Sequence, residues 1–221
     1  MDQAMDAATA TFTDDEIAAG EVLFRRQWRF LLSAPRLDVL PEAAGPEIAF
    51  AGRSNVGKSS LINALVAHGG LARTSNTPGR TQDLNFFVAD GVGLRFVDMP
   101  GYGFAQAPKA KVDEWTGLIH DYLRGRPTLL RVFLLIDARH GLKATDLAVM
   151  RLLDEAAVSY QAVLTKIDKI KPHQLTAVAA GTADELGRHG AAFPTLIATS
   201  SQTGAGIPEL RAQIAQLASA A

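Results

Sequence analysis

No cysteine occurs among the 221 residues, which excludes disulfides, zinc thiolate sites, iron–sulfur clusters and cysteine nucleophiles together. A reducing cytosol fits that usage. Long apolar runs are also missing: stretches such as 132–136 are strand-sized and fall far short of the roughly 18 residues that span a bilayer. The opening Met1-Asp2-Gln3-Ala4-Met5-Asp6 lacks the basic-then-apolar order of a secretory signal and the arginine-rich character of a transit peptide. A cytoplasmic location with no membrane partner is therefore expected. Neither sign of charge is in excess, with 22 basic residues against 23 acidic and a net charge of −1. That balance argues against a chain that coats nucleic acid by charge alone and leaves room only for a local basic face. What is present is ordinary for a folded chain, 48% hydrophobic and 20% charged. The length suits one large domain, or one domain with an extension. No surplus amphipathic face calls for a second copy, so a monomer is the expectation.

The first dozen residues are small and polar and read as frayed. Thr13 and Glu16 have capping-box spacing, which predicts a helix start. Ile17, Phe24 and Leu31 step by sevens, so the helix is expected to run to Pro35. From Glu47 onward short apolar runs alternate with helical patterns, the mark of an α/β sheet with helices on both faces. The expected strands are 47–51, 84–89, 93–99, 131–137, 160–164 and 195–199. The expected helices are 58–68, 109–124, 145–157, 172–186 and 207–218. Asp90-Gly91 joins two strand-like runs with no room for a crossover helix, a hairpin signal. The expected fold is thus a three-layer, mostly parallel six-stranded sheet with one antiparallel edge strand. Residues 1–46 read as an N-terminal extension carrying a helix, and 47–221 as one nucleotide-binding domain.

Gly52-Arg53-Ser54-Asn55-Val56-Gly57-Lys58-Ser59 matches the phosphate-loop pattern and lies between a strand-like run and a helical one. Glycines let the backbone wrap phosphate oxygens while successive N–H groups and the following helix's positive end converge on them. Lys58 can reach the β- and γ-phosphates, and the Ser59 hydroxyl can ligate Mg²⁺. Asp98-Met99-Pro100-Gly101 closes a strand: Asp98 can hold the metal through water, and Gly101 can offer an unobstructed N–H to a γ-phosphate. Thr165-Lys166-Ile167-Asp168 follows another strand, where a base-reading motif belongs. The Asp168 carboxylate can accept from guanine N1–H and the exocyclic amine together, whereas adenine would leave it unpaired. Lys166 can lay its stem along the base. Thr199-Ser200-Ser201 can supply backbone N–H groups to guanine O6.

With these motifs in order, the chain from about Glu47 resembles a translation-factor-class GTPase. More narrowly it resembles the EngB (YihA/YsxC) family of bacterial ribosome-assembly GTPases. The phosphate loop continued through Ser60-Leu61-Ile62-Asn63, together with Thr77-Pro78-Gly79-Arg80-Thr81-Gln82 and Asp98-Met99-Pro100-Gly101-Tyr102-Gly103-Phe104, carries the likeness. The upstream Phe24-Arg25-Arg26 region shares it. The resemblance implies GTP and GDP as ligands, Mg²⁺ as cofactor, the large ribosomal subunit or its RNA as partner, and a link to division. It implies that Thr81, with Gly79, Arg80 and Gln82 around it, closes on Mg²⁺ and the γ-phosphate, with Thr77 as a rival ligand. Asp83 places an acid beside that segment with no role the sequence explains.

Familiar small GTPases position the attacking water with a glutamine after the switch glycine. Tyr102 stands there instead, so slow unassisted hydrolysis is expected. Asn55 resembles the asparagine of potassium-dependent GTPases, which adds K⁺ as a further candidate ion and makes Asn55 catalytic alongside Lys58, Thr81 and Gly101. Tyr102 and Phe104 either contact a partner or pack against the domain. Three basic clusters, Arg124/Arg126/Arg131, Lys166/Lys169/Lys171 and Arg25/Arg26/Arg29, are candidate RNA contacts or solvated faces. The rival readings are an ATP-dependent small-molecule kinase and a nucleotide-binding module without turnover.

Overall fold

The structure, a computed structural model, describes residues 9–72, 83–102 and 109–220, and for 109–116 the backbone alone. Thr13 caps the first helix, α1 (Asp14–Phe24), as expected: its side chain accepts from the Glu16 N–H at 3.3 Å, and Glu16 Oε2 accepts from the Thr13 N–H at 2.7 Å.

The helix does not run to Pro35. It stops at Phe24, and the next residues form a strand, β1 (Trp28–Ala34). The cause is tertiary. Trp28 stacks on Phe24 with ring centroids 5.5 Å apart and sits 4.2 Å from the ring of Phe96. β1 meanwhile pairs antiparallel with β3 (Leu84–Ala89), Trp28 opposite Ala89 and Phe30 opposite Phe87. Sheet pairing and aromatic burial outweigh the seven-residue apolar step that reads as helix.

The remaining strands are β2 (Glu47–Gly52), β4 (Arg95–Asp98), β5 (Leu129–Asp137), β6 (Tyr160–Thr165) and the two-residue β7 (Ile197–Ala198). The sheet order is β1-β3-β4-β2-β5-β6-β7. β3 runs antiparallel to both neighbours, and β4, β2, β5, β6 and β7 are parallel. The mixed, mostly parallel three-layer fold is therefore present, and β1, added outside β3, makes the strands seven rather than six. Thr9 bridges Leu196 at the opposite edge, and Ala10 donates to the Leu196 carbonyl at 3.1 Å.

Helices α2 (Lys58–Leu65), α3 (Lys109–Gly125), α4 (Ala144–Glu155), α5 (Pro172–Leu186) and α6 (Ile207–Ser219) complete the layers. One core packs Phe24 of α1, Leu61, Ile62 and Leu65 of α2 and Leu210 and Ile214 of α6 on Phe50, Phe96, Phe133 and Leu135. The other face packs Ile119, Tyr122 and Leu123 of α3, Met150 and Leu153 of α4 and Leu186 of α5 on Val97, Val132, Leu134, Ile136 and Leu164. The central strands are buried on both faces, as β2's unbroken burial shows.

Candidate functional site

The strand order diverges at β2: β4 lies on one side and β5 on the other. A crevice outside the carboxyl ends of the strands is where an α/β sheet takes its ligand. The predicted motifs converge there. β2 delivers Gly52, and the chain turns through Asn55 at φ 61° and Gly57 at φ 105° before α2 begins at Lys58. A loop turned in this way ahead of a helix start is the arrangement in which backbone amides and the helix's positive end can converge on an anion. Ser59 stands in the first turn of α2, and Val56 is buried beneath the loop.

Lys58 Nζ donates to Asp98 Oδ1, and both side chains are nearly enclosed at 11% and 9% exposure. The loop lysine and the carboxylate at the end of β4 thus share one spot. Beyond Asp98, the Met99 N–H donates to the Phe50 carbonyl at 3.0 Å. Ser54 N–H donates to the Tyr102 carbonyl at 3.0 Å, and Tyr102 N–H to the Gly52 carbonyl at 3.3 Å. Gly101 is pressed on the loop: a Cβ there would lie 3.2 Å from Ser54 N and Cα. Any larger residue would push the two segments apart. Met99 and Pro100 are buried and, with Tyr102 and residues of α3 and α4, wall an apolar cavity of about 480 Å³.

On the base side, Thr165 Oγ1 donates to the Val56 carbonyl at 2.7 Å, joining the base motif to the phosphate loop. Lys166 adopts a left-handed backbone at φ 59° and donates from Nζ to the Asn55 carbonyl at 2.5 Å and to Asp137 Oδ2 at 3.0 Å. Its stem therefore runs across the loop, and its Cε would lie 3.5 Å from a Cβ on Gly57. Burial raises the Asp137 carboxyl, but hydrogen bonds from Arg139 and Lys166 overcome it and hold the group far below the usual carboxylate range. Sequence reasoning missed Asp137; its place at the end of a strand is the signal that marks it.

Asp168 begins just past Ile167, in the 3₁₀ turn Ile167–Lys169. Its Oδ1 accepts from Ser200 Oγ at 2.6 Å and its Oδ2 lies 2.9 Å from Lys169 Nζ. The Ser200 hydroxyl, then Lys169, hold the carboxyl below its ordinary range. The loop from Thr199 to Gly206 is built tightly around this point. Thr199 N–H donates to the Leu164 carbonyl at 2.7 Å, and Ser200 Oγ accepts from Gln202 and Thr203 N–H groups at 3.3 and 3.1 Å. Gly206 closes it at φ +72°, where a Cβ would lie 1.9 Å from the Ala198 carbonyl. Only glycine fits that turn. Ser201 lies half-buried in the same loop.

Some expectations fall elsewhere. Gly79, Arg80, Thr81, Gln82 and the rival Thr77 lie outside the described residues, as do Gly103 and Phe104. Asp83 is engaged by the sheet edge: its Oδ2 accepts from Ser33 of β1 at 2.8 Å. Tyr102 is buried, its hydroxyl donating to Asp146 Oδ1 at 2.8 Å. Burial and then the Asp146 charge push its phenol well above the ordinary range. Of the basic clusters, Arg126 is spent on the buried Glu47 carboxylate. Arg131 is buried against the Phe193 ring at 3.9 Å, and burial pulls its guanidinium down to about 10. Arg29, in the strand rather than the helix, pairs with Asp90 at 3.0 Å, and Arg25 with Glu21 at 3.4 Å. Among the described residues no helix is long and apolar enough to cross a membrane.

Comparison with known proteins places the chain in a family. A family model described as 50S ribosome-binding GTPase matches residues 47–166. A curated relative from Chelativorans sp. (strain BNC1), described as probable GTP-binding protein EngB, is 59% identical over 210 residues, 91% of this chain and 93% of the relative. One of the same description from Rhodopseudomonas palustris (strain HaA2) is 57% identical, covering 95% and 97%. Among solved structures, a probable GTP-binding protein engB superposes with a TM-score of 0.61 at 24% identity, over 79% of this chain and all of that one. Era in complex with MgGDPNP and a 16S ribosomal RNA segment superposes at 0.62 with 22% identity, over 78% of this chain and 56% of Era. At those identities the structural likeness speaks for the fold.

Proposed function

The chain belongs to the EngB family of GTP-binding proteins, and from that premise we propose a cytoplasmic, magnesium-dependent GTPase switch that acts in assembly of the large ribosomal subunit. One observation carries the nucleotide half of the reading. The phosphate loop, the Lys58–Asp98 pair and the Asp168–Ser200 pair open on one crevice, tied together by Thr165 and Lys166. Triphosphate and guanine are recognised by these two halves at once.

The residues fit a divalent ion of the hard, oxygen-seeking kind. Ser59 offers a hydroxyl, Asp98 a carboxylate at the strand end, and no cluster of three or more acidic, histidine or cysteine ligands exists among the described residues. Such a donor set suits Mg²⁺, which keeps waters and leans on substrate phosphates. Ser59 and Asp98 would hold it, with Thr81 joining as the family resemblance implies, and it would neutralise charge on the phosphate oxygens. Lys58, paired here with Asp98, would turn its charge to the β- and γ-phosphates. Gly101 would donate its N–H to the γ-phosphate from beside Ser54. Lys166 would cover the base while Asp168 accepts from N1–H and the exocyclic amine. Gly52, Arg53, Val56 and Gly57 complete the cradle, and Thr199, Ser200 and Ser201 face O6.

The residue directly after Gly101 is Tyr102, which carries no amide and is tied to Asp146, so intrinsic turnover is slow. The Asn55 side chain makes no hydrogen bond among the described residues and stands exposed at the loop's left-handed turn. That supports K⁺ held through Asn55 beside the phosphates. Turnover measured in K⁺ and in Na⁺ at equal ionic strength is expected to be several-fold faster in K⁺; equal rates refute the ion's role.

The ribosomal half rests on the family, whose model is described as ribosome-binding, and so does the link to septation. Sedimentation with large-subunit precursors is expected to require a non-hydrolysable GTP analogue and to fall away with GDP. Sedimentation that ignores the nucleotide would count against the proposal.

A further inference from the structure

One buried carboxylate touches both the phosphate loop and the segment that follows it, and the reading above gives it no task. Asp146, in the first turn of α4, has no solvent exposure. Its Oδ1 accepts from the Tyr102 hydroxyl at 2.8 Å, and its Oδ2 accepts from the Lys143 N–H at 2.8 Å. Arg53 Nε lies 3.2 Å from Oδ2, an ion pair whose angle is too poor for a hydrogen bond, and Arg53 Nη2 donates to the Gly141 carbonyl at 3.3 Å.

Arg53 is the second residue of the phosphate loop, and Tyr102 directly follows Gly101. The two are already neighbours in a backbone bridge. Asp146 adds a side-chain clamp across the same bridge, and Gly101 is what the clamp presses on Ser54.

A buried carboxylate tolerates the loss of a donor poorly, because no water replaces it. Moving Tyr102 away therefore carries a free-energy cost that is felt only in states where Gly101 leaves the loop. States that keep Gly101 against the loop do not bear it. A contact that differs between two conformations shifts their populations by that difference, and so shifts the affinity of any ligand that selects one of them.

We propose that Asp146 is a positioning residue for the second switch. By holding Tyr102 and Arg53 together it keeps the Gly101 N–H set for a γ-phosphate, and it thereby raises the preference for GTP over GDP. The inference rests on the reading of Gly101 as the γ-phosphate donor. It assigns to α4 a role in sensing the nucleotide, although α4 supplies no residue to the nucleotide crevice itself.

The test compares dissociation constants for GDP and for a non-hydrolysable GTP analogue in the full chain, for the native protein, Tyr102→Phe and Asp146→Asn. Tyr102→Phe removes one oxygen and keeps the ring in its apolar surroundings, so it reports even if Asp146→Asn does not fold. The expected result is a GTP-analogue affinity reduced about five- to tenfold, with GDP affinity held within about twofold. A merely structural role would weaken both nucleotides together or leave their ratio unchanged, and either result in Tyr102→Phe overturns the proposal. Failure of the native protein to bind either guanine nucleotide would instead refute the functional reading beneath it.

Discussion

Asp168→Asn is expected to weaken GTP binding by roughly two to four orders of magnitude and to confer binding of xanthosine triphosphate. The carboxylate is aimed by its partners: Ser200 Oγ donates to Oδ1 at 2.6 Å and Lys169 Nζ lies 2.9 Å from Oδ2. Both oxygens are thus acceptors, the pattern that guanine's N1–H and exocyclic amine require. In the asparagine variant the remaining oxygen stays with Ser200, whose hydroxyl needs an acceptor. The amide NH₂ then faces guanine's donors, and donor meets donor. Xanthine carries a carbonyl in place of the exocyclic amine and accepts from that NH₂. Isothermal titration with GTP, XTP and ATP decides the matter. Unchanged GTP affinity, or a native protein that prefers ATP, would remove Asp168 from the base site. Folding should be indifferent, because the residue lies in a turn and supports no core contact.

Glu47→Ala is expected to destabilise the protein by about 3–5 kcal/mol, a fall in Tm of roughly 6–20 °C for a chain of this size. Glu47 opens β2 at the end of the sheet opposite the crevice, and its side chain is fully buried. Its Oε2 accepts from Tyr122 Oη at 3.1 Å and Arg126 Nε at 2.8 Å; its Oε1 takes Arg126 Nη2 and lies 3.5 Å from Arg95 Nη1. One carboxylate therefore ties β2, β4, α3 and the turn before β5. Its removal leaves two guanidinium groups of 7% and 13% exposure without a counter-charge and a buried phenol without an acceptor. Glu47→Gln keeps the acceptor and loses the charge, so it should fall between. Thermal denaturation followed by circular dichroism measures both. A Tm within about 2 °C of the native value for the alanine variant would show that the cluster contributes little.

The candidate crevice is legible in the sequence because its motifs encode backbone shape. Gly57 and Gly101 stand where a side chain would strain or block the loop, and Lys58, Asp98 and Asp168 each sit at a fixed step from a strand end. Such spacing survives without knowledge of the fold. Asp146 gave no such signal. An aspartate in the first turn of a helix reads as a cap, and it is one, through Lys143. Only the folded chain brings Arg53 and Tyr102 to it from 93 and 44 positions away. Glu47 was equally silent, since an acid at a strand start looks solvated until Arg126 and Tyr122 close over it.

The edge of the sheet is ambiguous in the sequence for a different reason. Ile17, Phe24 and Leu31 imitate a helical stripe, while Trp28, Phe30 and Leu32 carry the competing alternation of a strand. Local pattern cannot choose between them. The decision belongs to Leu84–Ala89, more than 50 residues downstream, which offers the pairing partner.

That partner sits directly after the segment that includes Thr81, and Ser33 of β1 grips Asp83 at its threshold. The outermost ribbon therefore serves as a hem, stitched to Asp83 at the place where the chain enters β3. A gene fragment trimmed to begin at Glu47 would lose that stitch and bare the flank of β3, with Phe87 and Phe96 losing the cover of Phe30, Trp28 and Phe24. Anyone dissecting this protein into a minimal nucleotide-binding piece should cut ahead of Thr13.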